Sequence, residues 1–218
     1  MCVYSHRRML LAVAGLLAWP TWAAAAPSPS VAPRNWQLDF DFEDLQRLDV
    51  VLPGDRQPTT FWYMVYTVTN NSGKDVEFYP SFQLVTSTLQ VVTGGDNISP
   101  SVYDAIAAQY RNMYPFFRVP TDMTGTLLQG PDNSRTSAAV FRDFDRTANE
   151  VTVYVGGLSG EIVSVPNPSF DPEKPESAEN MRFFPLRKTL AIPYDIPGDE
   201  RTRQQAPPVR KKTDWVMR

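Results

Sequence analysis

Residues 61–73 read Phe-Trp-Tyr-Met-Val-Tyr-Thr-Val-Thr-Asn-Asn-Ser-Gly. A run dominated by β-branched and aromatic side chains is suited to a pleated strand, and the Asn-Asn-Ser-Gly that ends it can supply the positive φ angles of a tight turn. An apolar stretch resumes over 76–85, so the two runs together predict a β-hairpin.

The same reading extends in both directions. Upstream, Trp36, Leu38, Phe40 and Phe42 alternate with Gln37, Asp39, Asp41 and Glu43, the period-two signature of a strand with one buried face. Downstream, 89–93, 125–128, 138–144, 151–155 and 186–194 are short strand-like runs bounded by Gly, Pro, Asn or Asp. The expectation is a mainly-β protein, a β-sandwich of about seven to eight strands. One helix interrupts them. Ser99 stands where a cap is needed, Pro100 suits the first helical position, and Val102, Ile106 and Tyr110 share a face, which predicts a short helix crossing over or plugging one end.

The ends read differently. Over 1–25, His6, Arg7 and Arg8 precede an apolar run, a break at Pro20 and a small-residue exit, the plan of a cleaved signal peptide with the cut after Ala25. The apolar run is shorter than the roughly 20 residues that span a bilayer, so no transmembrane anchor is expected after its removal. Arg7-Arg8 before that run fits an ordinary secretory leader and also loosely fits a twin-arginine signal. Residues 26–34 hold three prolines and form an expected extended spacer, 35–198 the β-sandwich domain, and 199–218 a basic C-terminal tail without strand character. The acidic, proline-bearing 167–180 segment is expected to be a long mobile surface loop.

At 61–73, with Val76-Glu77-Phe78 beyond it, and again over 151–158, the chain resembles immunoglobulin-like β-sandwich domains of uncharacterised exported bacterial proteins. The resemblance is one of pattern and runs from Trp36 to Tyr194. It implies an immunoglobulin-like sandwich and no catalytic residues. The cysteine pair and core tryptophan of antibody-type domains have no counterpart here.

Composition removes whole classes of chemistry. The chain holds one histidine and one cysteine, His6 and Cys2, and both leave with the leader. The mature chain then has no Ser-His-Asp triad, no cysteine nucleophile, no disulfide and no histidine or thiolate metal site. Lys plus Arg falls from 21 to 19 against 24 acids, giving a net charge of −5. Gly94-Gly95 and Gly156-Gly157 lack the spacing of a phosphate-binding loop, so no cofactor is indicated.

Carboxylate chemistry survives this filter. Asp39, Asp41 and Glu43 share one face of their strand, where a solvated surface, a calcium site and part of a glycoside-hydrolysing pair are the alternatives. Asp143 and Asp145 read as a hairpin turn. In the tail, Arg210, Lys211, Lys212 and Trp215 are the candidate partner-binding residues, with a tail docked onto its own domain as the plainer account. The functional expectation is an exported, non-catalytic module of the bacterial periplasm or cell exterior that binds a protein or an envelope polymer. Its alternatives are a carboxylate-based polysaccharide hydrolase and an envelope protein self-assembling through its edges. Nucleic acid is disfavoured, because one tryptophan is no stacking platform.

Overall fold

The computed structural model describes residues 26–199, 201–203 and 205–218; the expected leader over 1–25, with Cys2 and His6, lies outside the described residues. In chain order the elements are β1 (Asp39–Phe42), β2 (Gln46–Val51), β3 (Pro58–Thr69), β4 (Val76–Phe78), β5 (Ser81–Thr86), β6 (Val91–Thr93), α1 (Pro100–Tyr110), β7 (Gly125–Leu127), β8 (Arg135–Arg142), β9 (Glu150–Gly156), β10 (Ile162–Pro166), β11 (Phe183–Asp195), β12 (Val209–Arg210) and β13 (Asp214–Met217). The fold is mainly β, as the alternation predicts, and its antiparallel sheets are consistent with a sandwich.

The sequence of β3 dictates the layering. Phe61 to Tyr66 are all buried, so this strand needs cover on both faces. Trp62, Met64, Tyr66 and Val68 point into the main core, against Leu84 of β5, Val151, Val153 and Val155 of β9, and Leu190 and Ile192 of β11. Phe61, Tyr63 and Val65 point the other way and join Ala138 and Val140 of β8 under Val102, Tyr103 and Ile106 of α1. The result is three layers: helix, smaller sheet, larger sheet. Each large apolar side chain so enclosed contributes about 1.5–3 kcal/mol relative to exposure. The helix therefore roofs the outer face of the smaller sheet and does not plug an end. Ser99 is its N-terminal flanking residue, but its hydroxyl pairs with Ser101 Oγ at 2.9 Å instead of capping.

β3 is hydrogen-bonded on both edges. β8 lies along one edge, while β1 and then β2 share the other, as two halves of a strand broken near Asp44. The hairpin is formed by β2 and β3 through 52–57, where Gly54 takes a φ of 94°. The expected hairpin of 61–69 with 76–85 is not made, because neither edge of β3 is free. Asn70 redirects the chain instead. Its wholly buried amide donates to the carbonyls of Lys74 and Leu127, both at 2.8 Å, tying the turn to the β7 side. The run 76–85 splits before Pro80 into β4, which pairs with β7, and β5, which enters the larger sheet.

The larger sheet has the order β10-β11-β9-β5-β6, with β12 and β13 also on β11. Two further expectations change here. Residues 143–149 are not a hairpin turn: β8 belongs to the smaller sheet and β9 to the larger, so this segment crosses between layers, with Phe144 stacked on Trp62 at 5.0 Å. The residues expected to form a tail after 199 are strand-forming, because β13 pairs with Lys188 to Ala191 and β12 with Tyr194 and Asp195. Over 167–182 the surface loop closes around Asn180, whose amide donates to the carbonyls of Asp171, Lys174 and Pro175 and whose oxygen accepts from Asp171 N–H. No helix among the described residues is long and apolar enough to cross a membrane.

Candidate functional site

The two sheets end differently on their outer faces. α1 covers the smaller sheet, whereas the outer face of the larger sheet carries polar and aromatic side chains. In β9, Val151, Val153 and Val155 are buried, and Thr152 and Tyr154 alternate with them on the outside. In β11 the same parity sends Lys188, Leu190 and Ile192 inward and Arg187 and Thr189 outward.

The register of β13 then creates an unusual pair. Arg187 and Arg218 stand opposite each other and exchange both backbone hydrogen bonds, at 2.7 and 3.0 Å. Like charges directly across a ladder repel. Neither guanidinium has a carboxylate partner among the described residues. Arg218 turns over the ring of Tyr154, with its guanidinium carbon 4.1 Å from the centroid. That contact accommodates a cation without neutralising it.

These side chains border a groove of about 550 Å³ lined by Tyr79, Ser81, Gln83, Tyr154, Arg187 and Arg218, with Thr189 beside them. No Asp or Glu side chain lines it. Gly157, at a φ of 84°, forms part of the wall, and a Cβ there would press into the carbonyl of Tyr79. Glycine is what lets the segment before β5 close against the end of β9. Two guanidinium groups, two tyrosine rings and a few hydroxyl and amide groups make a surface suited to holding anionic groups and stacking against flat ring faces. No nucleophile is paired with a base in it.

The residues singled out from sequence fall elsewhere. Arg210 pairs with Asp44 at 3.2 Å and lies over the Phe42 ring. Lys211 bridges Asp195 at 2.6 Å and Glu150 at 3.3 Å, and the hydrogen bond it donates to Asp195 raises its pKa. Trp215 packs half-buried against the main core, with the Lys188 ammonium 5.1 Å from its ring. Arg210, Lys211 and Lys212 are all exposed, and Lys212 has no part in these contacts.

The acids behave similarly. Asp39 and Asp41 are exposed, Asp39 accepts from Asn71 at 2.7 Å, and Glu43 accepts from the Tyr114 hydroxyl at 3.2 Å. Asp143 accepts from Trp62 Nε1 at 2.9 Å, and Asp145 closes its own turn through Thr147, whose backbone and hydroxyl bonds hold the Asp145 carboxyl below its usual range. Among the described residues no group of three His, Cys, Asp or Glu is placed to hold a metal ion.

Sequence reading missed Arg187 and Tyr154 because each sits inside a run identified as strand, where inward positions drew attention. The outward parity of Tyr154 was available from Val151, Val153 and Val155. The pairing of Arg187 with Arg218 was not, since the two stand 31 positions apart in the chain. No protein-family model, no curated protein and no solved structure matches this chain.

Proposed function

We propose that the mature chain is an exported, non-catalytic binding module of the bacterial periplasm or cell exterior, which holds an anionic envelope polymer on the outer face of its larger sheet. The observation that carries this reading is the cross-strand pair of Arg187 and Arg218, which pair with no Asp or Glu side chain among the described residues, in a groove that also presents Tyr154. Like charges at opposite positions of a ladder repel, and an anion bound beside Arg187 and Arg218 relieves that repulsion. The leader read at 1–25 supports export. The immunoglobulin-like resemblance is in keeping with a sheet-face module, and the loss of His6 and Cys2 with the leader favours binding over chemistry.

Affinity electrophoresis through gels containing polygalacturonate, with dextran as the neutral control, tests this. The mature chain is expected to be retarded by polygalacturonate, to lose retardation in the double variant Arg187→Gln and Arg218→Gln, and to weaken as salt rises because exposed charges are screened. Equal mobility of wild type and variant in polygalacturonate would end the proposal.

A further inference from the structure

On the inner side of the same two strands lies a second arrangement, independent of the outer groove. Glu161, just before β10, and Lys188 of β11 are cross-strand neighbours, with the Lys188 N–H bonded to the Glu161 carbonyl at 3.0 Å. Their side chains meet at 3.5 Å and are 4% and 2% exposed. Buried charges of this kind need partners for every remaining donor and acceptor. Ser30 of the N-terminal arm partners Glu161 Oε1 and Lys188 Nζ, while Glu161 Oε2 faces only the Lys188 ammonium, without a hydrogen bond. The Ser30 backbone N–H and hydroxyl both donate to Glu161 Oε1, the former at 3.0 Å, and the Ser30 carbonyl accepts from Lys188 Nζ at 2.9 Å.

All three polar groups of one extended residue are therefore read by two side chains. The carboxylate stands in for a strand carbonyl and the ammonium for a strand N–H, so the pair imitates one rung of a β-ladder. Trp215 forms the floor. A groove of about 640 Å³ runs between residues 26–31 and β13. Pro27 and Pro29 are half-buried along it and Ser28 is exposed, which suits a polyproline-type segment lying on its proline side. Among the described residues no backbone-to-backbone hydrogen bond holds 26–34, and 31–35 are fully exposed up to Trp36. The arm is thus seated through Ser30 and its flanking prolines, on an exposed tether.

We infer that the Glu161–Lys188 pair, with the groove beside it, is a peptide-recognition site on which the chain's own arm is seated here through Ser30, and that it accepts an extended, uncharged Pro-Ser segment from a partner protein in the arm's place. The contacts of Ser30 define the ligand chemistry: a residue with free N–H, carbonyl and hydroxyl groups, preceded by proline. An aspartate at the central position would set a second carboxylate against Glu161 and be rejected.

The test is an anisotropy titration with a labelled synthetic peptide of residues 26–31 against the mature chain and its Ser30→Asp variant, with near-ultraviolet circular dichroism confirming that both are folded. The variant's arm is expected to leave the groove, so the peptide should bind it saturably. Wild type should bind about tenfold or more weakly, because its tethered arm competes at high effective concentration. A peptide carrying aspartate in place of the serine should bind neither. Absence of saturable binding to a folded Ser30→Asp chain, or equal binding of the serine and aspartate peptides, would overturn the inference. Should Ser30→Asp fail to fold, the same titration of Ser30→Ala decides it, since that arm is weakened by loss of one hydrogen bond and must then be displaced more readily than wild type.

Discussion

Lys188 Nζ lies 3.5 Å from Glu161 Oε2, and both side chains are almost wholly enclosed, one by Trp215 and the other by the arm residue Ser30. Hydrogen bonds from the Ser30 hydroxyl and then its backbone N–H hold the Glu161 carboxyl below the usual range, with Lys188 adding to the effect. A depressed carboxyl contributes stability above its unfolded value and loses it as pH falls through the folded one. The arm should therefore stay seated from neutrality down to about pH 4 and be released below that. Proteolysis of residues 26–35 at stepped pH, by a protease active in acid, measures this. Arm cleavage already as fast at pH 6 as at pH 3 would contradict it.

Removing one member of the pair leaves the other buried and uncompensated, whereas removing both leaves an apolar site. Lys188→Met is accordingly expected to lower the thermal midpoint more than the double variant Lys188→Met with Glu161→Leu. Calorimetry of the three chains reads the order directly, and a double variant less stable than the single one would refute it.

Asn70→Ala removes the amide that holds the turn after β3 to the carbonyls of Lys74 and Leu127. The Lys74 carbonyl keeps the Ser72 hydroxyl, whereas the buried Leu127 carbonyl loses the amide, and the loss should be about 1–3 kcal/mol in urea unfolding. Ile106→Ala, which opens a cavity between α1 and β3, should cost about 2–5 kcal/mol by the same measurement.

Four tyrosine hydroxyls are held neutral by burial. Tyr103 is raised to about 12, and Tyr63, Tyr66 and Tyr194 lie higher still. Raised values mean that stability is intact below pH 10 and declines above it, as the unfolded chain begins to ionise first. Tyrosinate absorbance should lag behind that of the unfolded chain between about pH 10 and 12 and appear together with loss of near-ultraviolet dichroism. Free titration of all the tyrosines at pH 10 with the fold intact would count against the packing described.

Deleting residues 209–218 strips β12 and β13 from β11 and removes Trp215 from the core. The expected result is a chain with a lowered thermal midpoint and an exposed edge prone to association, rather than a stable domain lacking only a binding tail. Equal midpoints for the full and shortened chains would contradict the observed pairing.

Much of the fold was local and could be read in advance. The alternation at 36–43 and the strand character of 61–69 and 151–155 each follow from which side chains must leave water, and that requirement is written residue by residue. The helix start at Ser99 and Pro100 was legible for the same reason, because the conformational limits of proline act within one turn. The absence of histidine and cysteine after residue 25 was a property of composition alone.

What only the tertiary structure decided is which strand meets which. An N–H and a carbonyl on a strand edge are the same whatever the sequence, so nothing in 61–85 announced that β3 would be taken up by β2 and β8 and that Asn70 would turn the chain away. Charge followed pairing: Arg210 and Lys211, prominent in sequence, are matched with Asp44, Asp195 and Glu150, while Arg187 and Arg218 become a site because a register places them face to face. Ser30, in a stretch with the composition of a spacer, acquires its role from two side chains more than 130 residues away. Burial is a preference each residue carries with it, but recognition depends on distances that exist only once the chain has closed.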